Sequence, residues 1–118
     1  MSLPRCLVID PDPQFAYVLS GIISRHGLDV DIAGDPFAAL RMLRIVRYDL
    51  VLYDISSPTV DHDMMFATLQ RDLPDVLTRT VLVTTTAFDS SRLPAGVPVM
   101  GKNDLRPLME YLNDQGRK

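Results

Sequence analysis

Four residues in this chain have the chemistry to handle a phosphoryl group or a divalent cation, and each follows a short apolar run. Asp10 follows Leu7-Val8-Ile9, and Asp54 follows Leu50-Val51-Leu52-Tyr53. Thr86 closes the run Val81-Leu82-Val83 with two further threonines, and Lys102 stands just beyond Val97-Pro98-Val99-Met100. Two carboxylates near one another are hard oxygen donors of the kind Mg²⁺ takes. A carboxylate is also a nucleophile toward phosphorus, giving an acyl phosphate. Such a transfer depends on positioning and on cationic charge around the moving oxygens. A threonine hydroxyl can donate to a phosphoryl oxygen, and a lysine ammonium supplies a compact charge. Lys102 is one of two lysines in a chain with ten arginines, so its placement is selective.

The elements that must position these residues alternate along the chain. Leu7-Val8-Ile9 and Leu50-Val51-Leu52-Tyr53 read as strands buried on both faces. Val30 and Ile32 alternate with Asp29 and Asp31, which predicts an edge strand with one wet face. Pro98 makes the last strand an edge strand or confines the proline to its start. Asp12-Pro13 and Asp35-Pro36 are N-cap and first-position pairs for two helices. The first carries Phe15, Val18, Leu19 and Ile22 and stops at Gly27; the second carries Leu40, Leu43 and Val46. Asp61 or Asp63 opens a third helix with Met65, Phe66 and Leu69, and Asp104 caps a last one with Leu105, Leu108 and Leu112 inward. Between the fourth and fifth strands, Asp89 to Gly96 contains Ser90, Ser91 and Pro94 and lacks an apolar stripe, so this helix is expected to be short or irregular. Five strands alternating with helices predict a parallel sheet covered on both faces, with ligands bound beyond the carboxyl ends of its strands.

Composition fits one α/β domain spanning 1–118. The chain is 47% hydrophobic and 23% charged, which is globular rather than disordered. A formal net charge of -3 argues against nucleic acid as the partner of this domain. The lone Cys6 has no partner for an internal disulfide or a multi-cysteine zinc site and reads as a small apolar strand residue. No apolar run approaches the roughly 20 residues of a membrane span, so a cytoplasmic protein is expected. Arg41, Arg44 and Arg47 read as a solvated stripe, Met64-Met65-Phe66 as core, and His26 and His62 show no dyad or metal spacing.

The motifs in register resemble those of response-regulator receiver domains. Val8-Ile9-Asp10-Pro11-Asp12-Pro13 is similar to the acidic end of their first strand. Asp49 to Pro58 is similar to their phosphoacceptor strand and loop, Thr86-Ala87 to their Thr/Ser-Ala pair, and Lys102 to their fifth-strand lysine. The resemblance covers nearly the whole chain and implies a flavodoxin-like, doubly wound five-stranded parallel sheet. It implies Asp54 as phosphoacceptor, Thr86 and Lys102 as phosphate-binding switch residues, and a Mg²⁺ site from Asp10, Asp54 and the Ser56 backbone carbonyl. It further implies a histidine kinase or phosphotransfer protein as donor, and an output domain or protein partner, with a homodimer as one arrangement.

The chain also departs from the family pattern. Pro11 stands where a second acid would ligate the metal, so Mg²⁺ is expected to bind weakly unless Asp12 substitutes; Asp12 is also the expected helix cap. Asn103 replaces a proline, Val99 a switch aromatic, and His62 a glycine. Only 102 − 86 = 16 positions separate Thr86 from Lys102, fewer than in family members. An alternative reading is therefore a degenerate receiver that binds partners without phosphate, with Lys102 in a permanent salt bridge. A remote third is a phosphohydrolase, because Asp10-Pro11-Asp12 faintly resembles the nucleophile motif of haloacid dehalogenases; Gln14 and the lack of a late acidic pair weigh against it.

Overall fold

The computed structural model describes residues 3–57, 60–85 and 93–116. Five strands, β1 (Arg5–Ile9), β2 (Asp29–Ala33), β3 (Leu50–Asp54), β4 (Thr80–Thr84) and β5 (Val99–Gly101), form one parallel sheet in the order β2-β1-β3-β4-β5. Helices α1 (Pro13–Arg25), α2 (Pro36–Ile45), α3 (His62–Asp72), α4 (Pro74–Leu77) and α5 (Arg106–Gly116) lie between and after the strands. The expected flavodoxin-like architecture is therefore present.

Strand alternation divides the core into two layers. Leu7, Ile9, Val51, Tyr53 and Leu82 pack against Ala39 and Leu43 of α2, Met65, Phe66 and Leu69 of α3, and Val76 of α4. Cys6, Val8, Leu50, Leu52, Val83 and Met100 pack against Ala16, Leu19 and Ile23 of α1 and Leu108 and Leu112 of α5. Every residue of β3 is buried, as its unbroken apolar run predicted. Truncating a side chain here, such as Leu52→Ala, would cost about 2–5 kcal/mol. Among the described residues, no helix is long and apolar enough to cross a membrane.

The helix starts are set locally. Asp12, Asp35 and Asp61 each accept backbone N–H bonds as N-caps, and prolines occupy the first turns of α1 and α2. Each such cap contributes about 1 kcal/mol. Asp104 accepts from the Arg106 backbone N–H at 3.2 Å, and Pro107 falls in the first turn of α5.

Three expected core positions lie at the surface. Val18 is 52% exposed, because the buried stripe of α1 is Ala16, Leu19 and Ile23, and Val18 sits about 200° round the helix from Ala16. Ile32 is 45% exposed on β2, an edge strand that pairs only with β1. Met64 points outward while Met65 and Phe66 go in. The four-residue α4, before β4, is an element the sequence reading did not anticipate. Most of the Asp89 to Gly96 segment lies outside the described residues; from 93 to 98 the chain forms no helix.

Candidate functional site

Parallel pairing brings three of the four chemically capable residues to one edge of the sheet. Asp10 follows β1 directly and donates its backbone N–H to the Ala33 carbonyl at 3.0 Å. Asp54 closes the adjacent β3, in register with Val83. Lys102 follows β5, its N–H bonded to the Thr84 carbonyl at 2.9 Å. β5 lies two strands from β3, roughly 10 Å at ordinary strand spacing, and a long lysine stem spans the gap over β4. Its Nζ reaches Asp10 Oδ2 and Asp54 Oδ2, each at 3.0 Å. The ammonium also lies 4.5 Å from the centroid of the Phe15 ring on α1. Thr86, expected beside them, lies outside the described residues, as does Pro58.

The backbone completes the setting. Asp12 N–H donates to Asp10 Oδ1 at 2.8 Å, and Ser56 N–H donates to Asp54 Oδ1 at 2.8 Å. The Ser56 hydroxyl oxygen accepts from the Thr85 N–H at 2.9 Å, which ties the loop after β3 to the end of β4. Both carboxylates and the ammonium are nearly buried, with side-chain exposures of 2%, 4% and 12% for Asp10, Asp54 and Lys102. Burial pushes Asp10 upward from the ordinary carboxylate range, and the neighbouring Asp54 charge adds to it. Burial also acts upward on Asp54, but hydrogen bonds from Ser56 and Lys102 outweigh it and hold this carboxyl low. Burial disfavours the charge on Lys102, and the two carboxylates overcome it, so the lysine stays protonated. Two anions facing one cation leave a negative excess of one charge, which suits a further cation.

Asp12 is engaged elsewhere. Its carboxylate accepts from the N–H groups of Gln14 and Phe15, at 3.0 and 3.4 Å, as the cap of α1. Asp10-Pro11-Asp12 therefore does not present two carboxylates at one point. Among the described residues no cluster of three or more His, Cys, Asp or Glu side chains could hold a metal. The side-chain oxygen donors shown at this edge are the carboxylates of Asp10 and Asp54, hard ligands of the kind Mg²⁺ takes.

Two neighbours take part in contacts that their sequence positions do not announce: Phe15 under the Lys102 ammonium, and His62, which stands where the family has a glycine. Tyr53 Oη lies 2.7 Å from His62 Nδ1, and His62 Nε2 lies 2.9 Å from the Ser57 carbonyl. Nothing local announces these contacts, since they depend on how α3 is set against β3. Cys6 is fully buried, and burial pushes its thiol up to about 12, so it is inert packing. Of the arginine stripe, Arg44 pairs with Asp72 and Arg47 with Asp49 at exposed positions worth little.

No protein-family model matches the chain. It is 40% identical over 58 residues to a protein-glutamate methylesterase/protein-glutamine glutaminase of Anaeromyxobacter dehalogenans, covering 49% of this chain and 17% of that protein. It is 41% identical over 54 residues to the DNA-binding response regulator MtrA of Mycolicibacterium smegmatis, covering 46% of this chain and 24% of that one. The chain thus spans less than a quarter of the length of these relatives. Among solved structures, a CheY-like response regulator receiver domain from Methanospirillum hungatei superposes with a TM-score of 0.81 at 24% identity, covering 98% of this chain and 95% of the other. The response regulator TrrA of Thermotoga maritima, in complex with Mg²⁺-BeF, gives a TM-score of 0.74 at 22% identity, covering 94% and 97%. Over nearly its whole length the chain thus has the fold of response-regulator receiver domains, and over about half of it the sequence is similar to that of response regulators.

Proposed function

We propose that this domain accepts a phosphoryl group on Asp54 from a histidine kinase or phosphotransfer protein and, in the cytoplasm, switches a partner or an output domain. One observation carries the reading: the low-lying carboxylate of Asp54, at the end of the central strand, is held between the Ser56 N–H and the Lys102 ammonium. An Asp54 carboxylate oxygen attacks the donor's phosphorus. The new O–P bond forms as the P–N bond to the donor imidazole breaks, and the ring nitrogen keeps that electron pair. Lys102 lies where the charge on the transferred oxygens would gather. Asp10, Asp54 and the Ser56 carbonyl are the groups that would hold Mg²⁺, whose contribution is to neutralise phosphoryl charge.

A second reading, a receiver that signals without phosphate, is favoured by one feature. Pro11 has no carboxylate and Asp12 spends its own on the α1 cap, so the metal loses one anionic ligand. Beryllofluoride, which mimics an acyl phosphate on a carboxylate, separates the two. With Mg²⁺ present it should shift the Ser56 and Gly101 amide resonances of the wild-type chain and leave those of Asp54→Asn unmoved. Wild-type resonances that stay fixed at saturating Mg²⁺ would favour the phosphate-independent reading.

A further inference from the structure

We propose that His62 is a positioning residue for the loop that follows β3, and that its imidazole fixes Ser56 against Asp54 by tying Ser57 to the buried Tyr53. The Ser57 carbonyl can only accept, so the His62 Nε2 at 2.9 Å carries the hydrogen. Nδ1 of the neutral ring is then the acceptor for the Tyr53 hydroxyl at 2.7 Å. Both ends of the imidazole are engaged, and the ring has one tautomer. Tyr53 is a rigid anchor: it is 2% exposed in β3 and meets Phe66 of α3 edge-on, with ring centroids 5.9 Å apart. His62 meets the same Tyr53 ring edge-on at 5.5 Å. The chain of contacts therefore runs from the core through His62 to Ser57, whose neighbour Ser56 donates to Asp54 Oδ1. A small cavity beside Asp54 is lined by Pro11, Asp35, Tyr53, Ser57 and His62, so the imidazole also forms one wall of the space next to that carboxylate.

The consequence for phosphorylation rests on the reading of Asp54 as acceptor; the positioning does not. Amide hydrogen exchange on the 118-residue chain tests the positioning directly. His62→Ala should speed exchange at Ser56 by about tenfold, with the core amides of β3 unchanged. His62→Gln can donate to the Ser57 carbonyl and accept from Tyr53, so it should return the rate toward wild type. Tyr53→Phe removes one bond and should give an intermediate rate; it carries the test if His62→Ala fails to fold. Equal Ser56 exchange in wild type and Tyr53→Phe, or no rescue by His62→Gln, overturns the proposal. If the exchange pattern holds but acetyl phosphate with Mg²⁺ never labels the wild-type chain, His62 keeps its positioning role and the acceptor reading alone falls.

Discussion

Lys102 Nζ lies 3.0 Å from Asp54 Oδ2 although β4 separates the strands that carry them. The same ammonium lies 3.0 Å from Asp10 Oδ2. One cation thus holds two buried carboxylates on neighbouring strands, and the charge left over at this edge is negative.

Lys102→Met keeps the length of the side chain and deletes the charge. Two buried anions would then face each other uncompensated, and the variant should lose about 3 kcal/mol at neutral pH. The deficit should shrink as the pH falls, because protonating one carboxylate relieves the repulsion. Urea midpoints measured from neutral to acid pH check both the size and the trend.

Asp10 and Asp54 should titrate on opposite sides of the ordinary aspartate value. Asp54 is held low by the Ser56 and Lys102 hydrogen bonds, against its burial. Its stabilising contribution is full above the unfolded value of about 3.9 and is lost as pH falls through the lowered folded value. Asp10 is raised, first by burial, so the sign reverses. Its deprotonation costs stability as pH climbs from the unfolded value to the raised folded one. Carboxyl ¹³C titration should place Asp10 above Asp54, and the reverse order would refute this electrostatic description.

Asp12→Ala separates a cap from a metal ligand. Loss of the bonds to Gln14 and Phe15 should destabilise the chain by about 1 kcal/mol. Mg²⁺ affinity, followed by calorimetric titration, should stay as it is in wild type. A severalfold loss of affinity would mean that Asp12 leaves the helix terminus to bind the ion.

Much of this arrangement was legible in the sequence because its causes are local. An unbroken apolar run fixed β3 as a central strand, and the Asp-Pro pairs fixed the starts of α1 and α2. The resemblance then placed Asp10, Asp54 and Lys102 together, and the sheet order brings them to one edge. What escaped depends on contacts between distant segments. The alternation in β2 suggested that Asp31 faces water, yet the hydroxyl of the buried Tyr48 donates to it at 2.6 Å. His62 looked idle because Tyr53 and Ser57 reach it only after α3 docks on β3. The shortened segment before β5 lies largely outside the described residues, and with it Thr86.

If Asp54 accepts a phosphoryl group beside a metal held weakly for want of a carboxylate at Pro11, a time course of intact mass with acetyl phosphate and Mg²⁺ will show it, run on wild type, Pro11→Asp, Asp54→Asn and the double variant. Wild type should gain a single phosphoryl group slowly, and at limiting Mg²⁺ the rate should be about tenfold higher in Pro11→Asp, as expected when an anionic ligand is added for a reluctantly dehydrated cation. Neither protein lacking Asp54 should gain mass. No labelling of wild type and Pro11→Asp at saturating Mg²⁺, or labelling that survives Asp54→Asn, would contradict it.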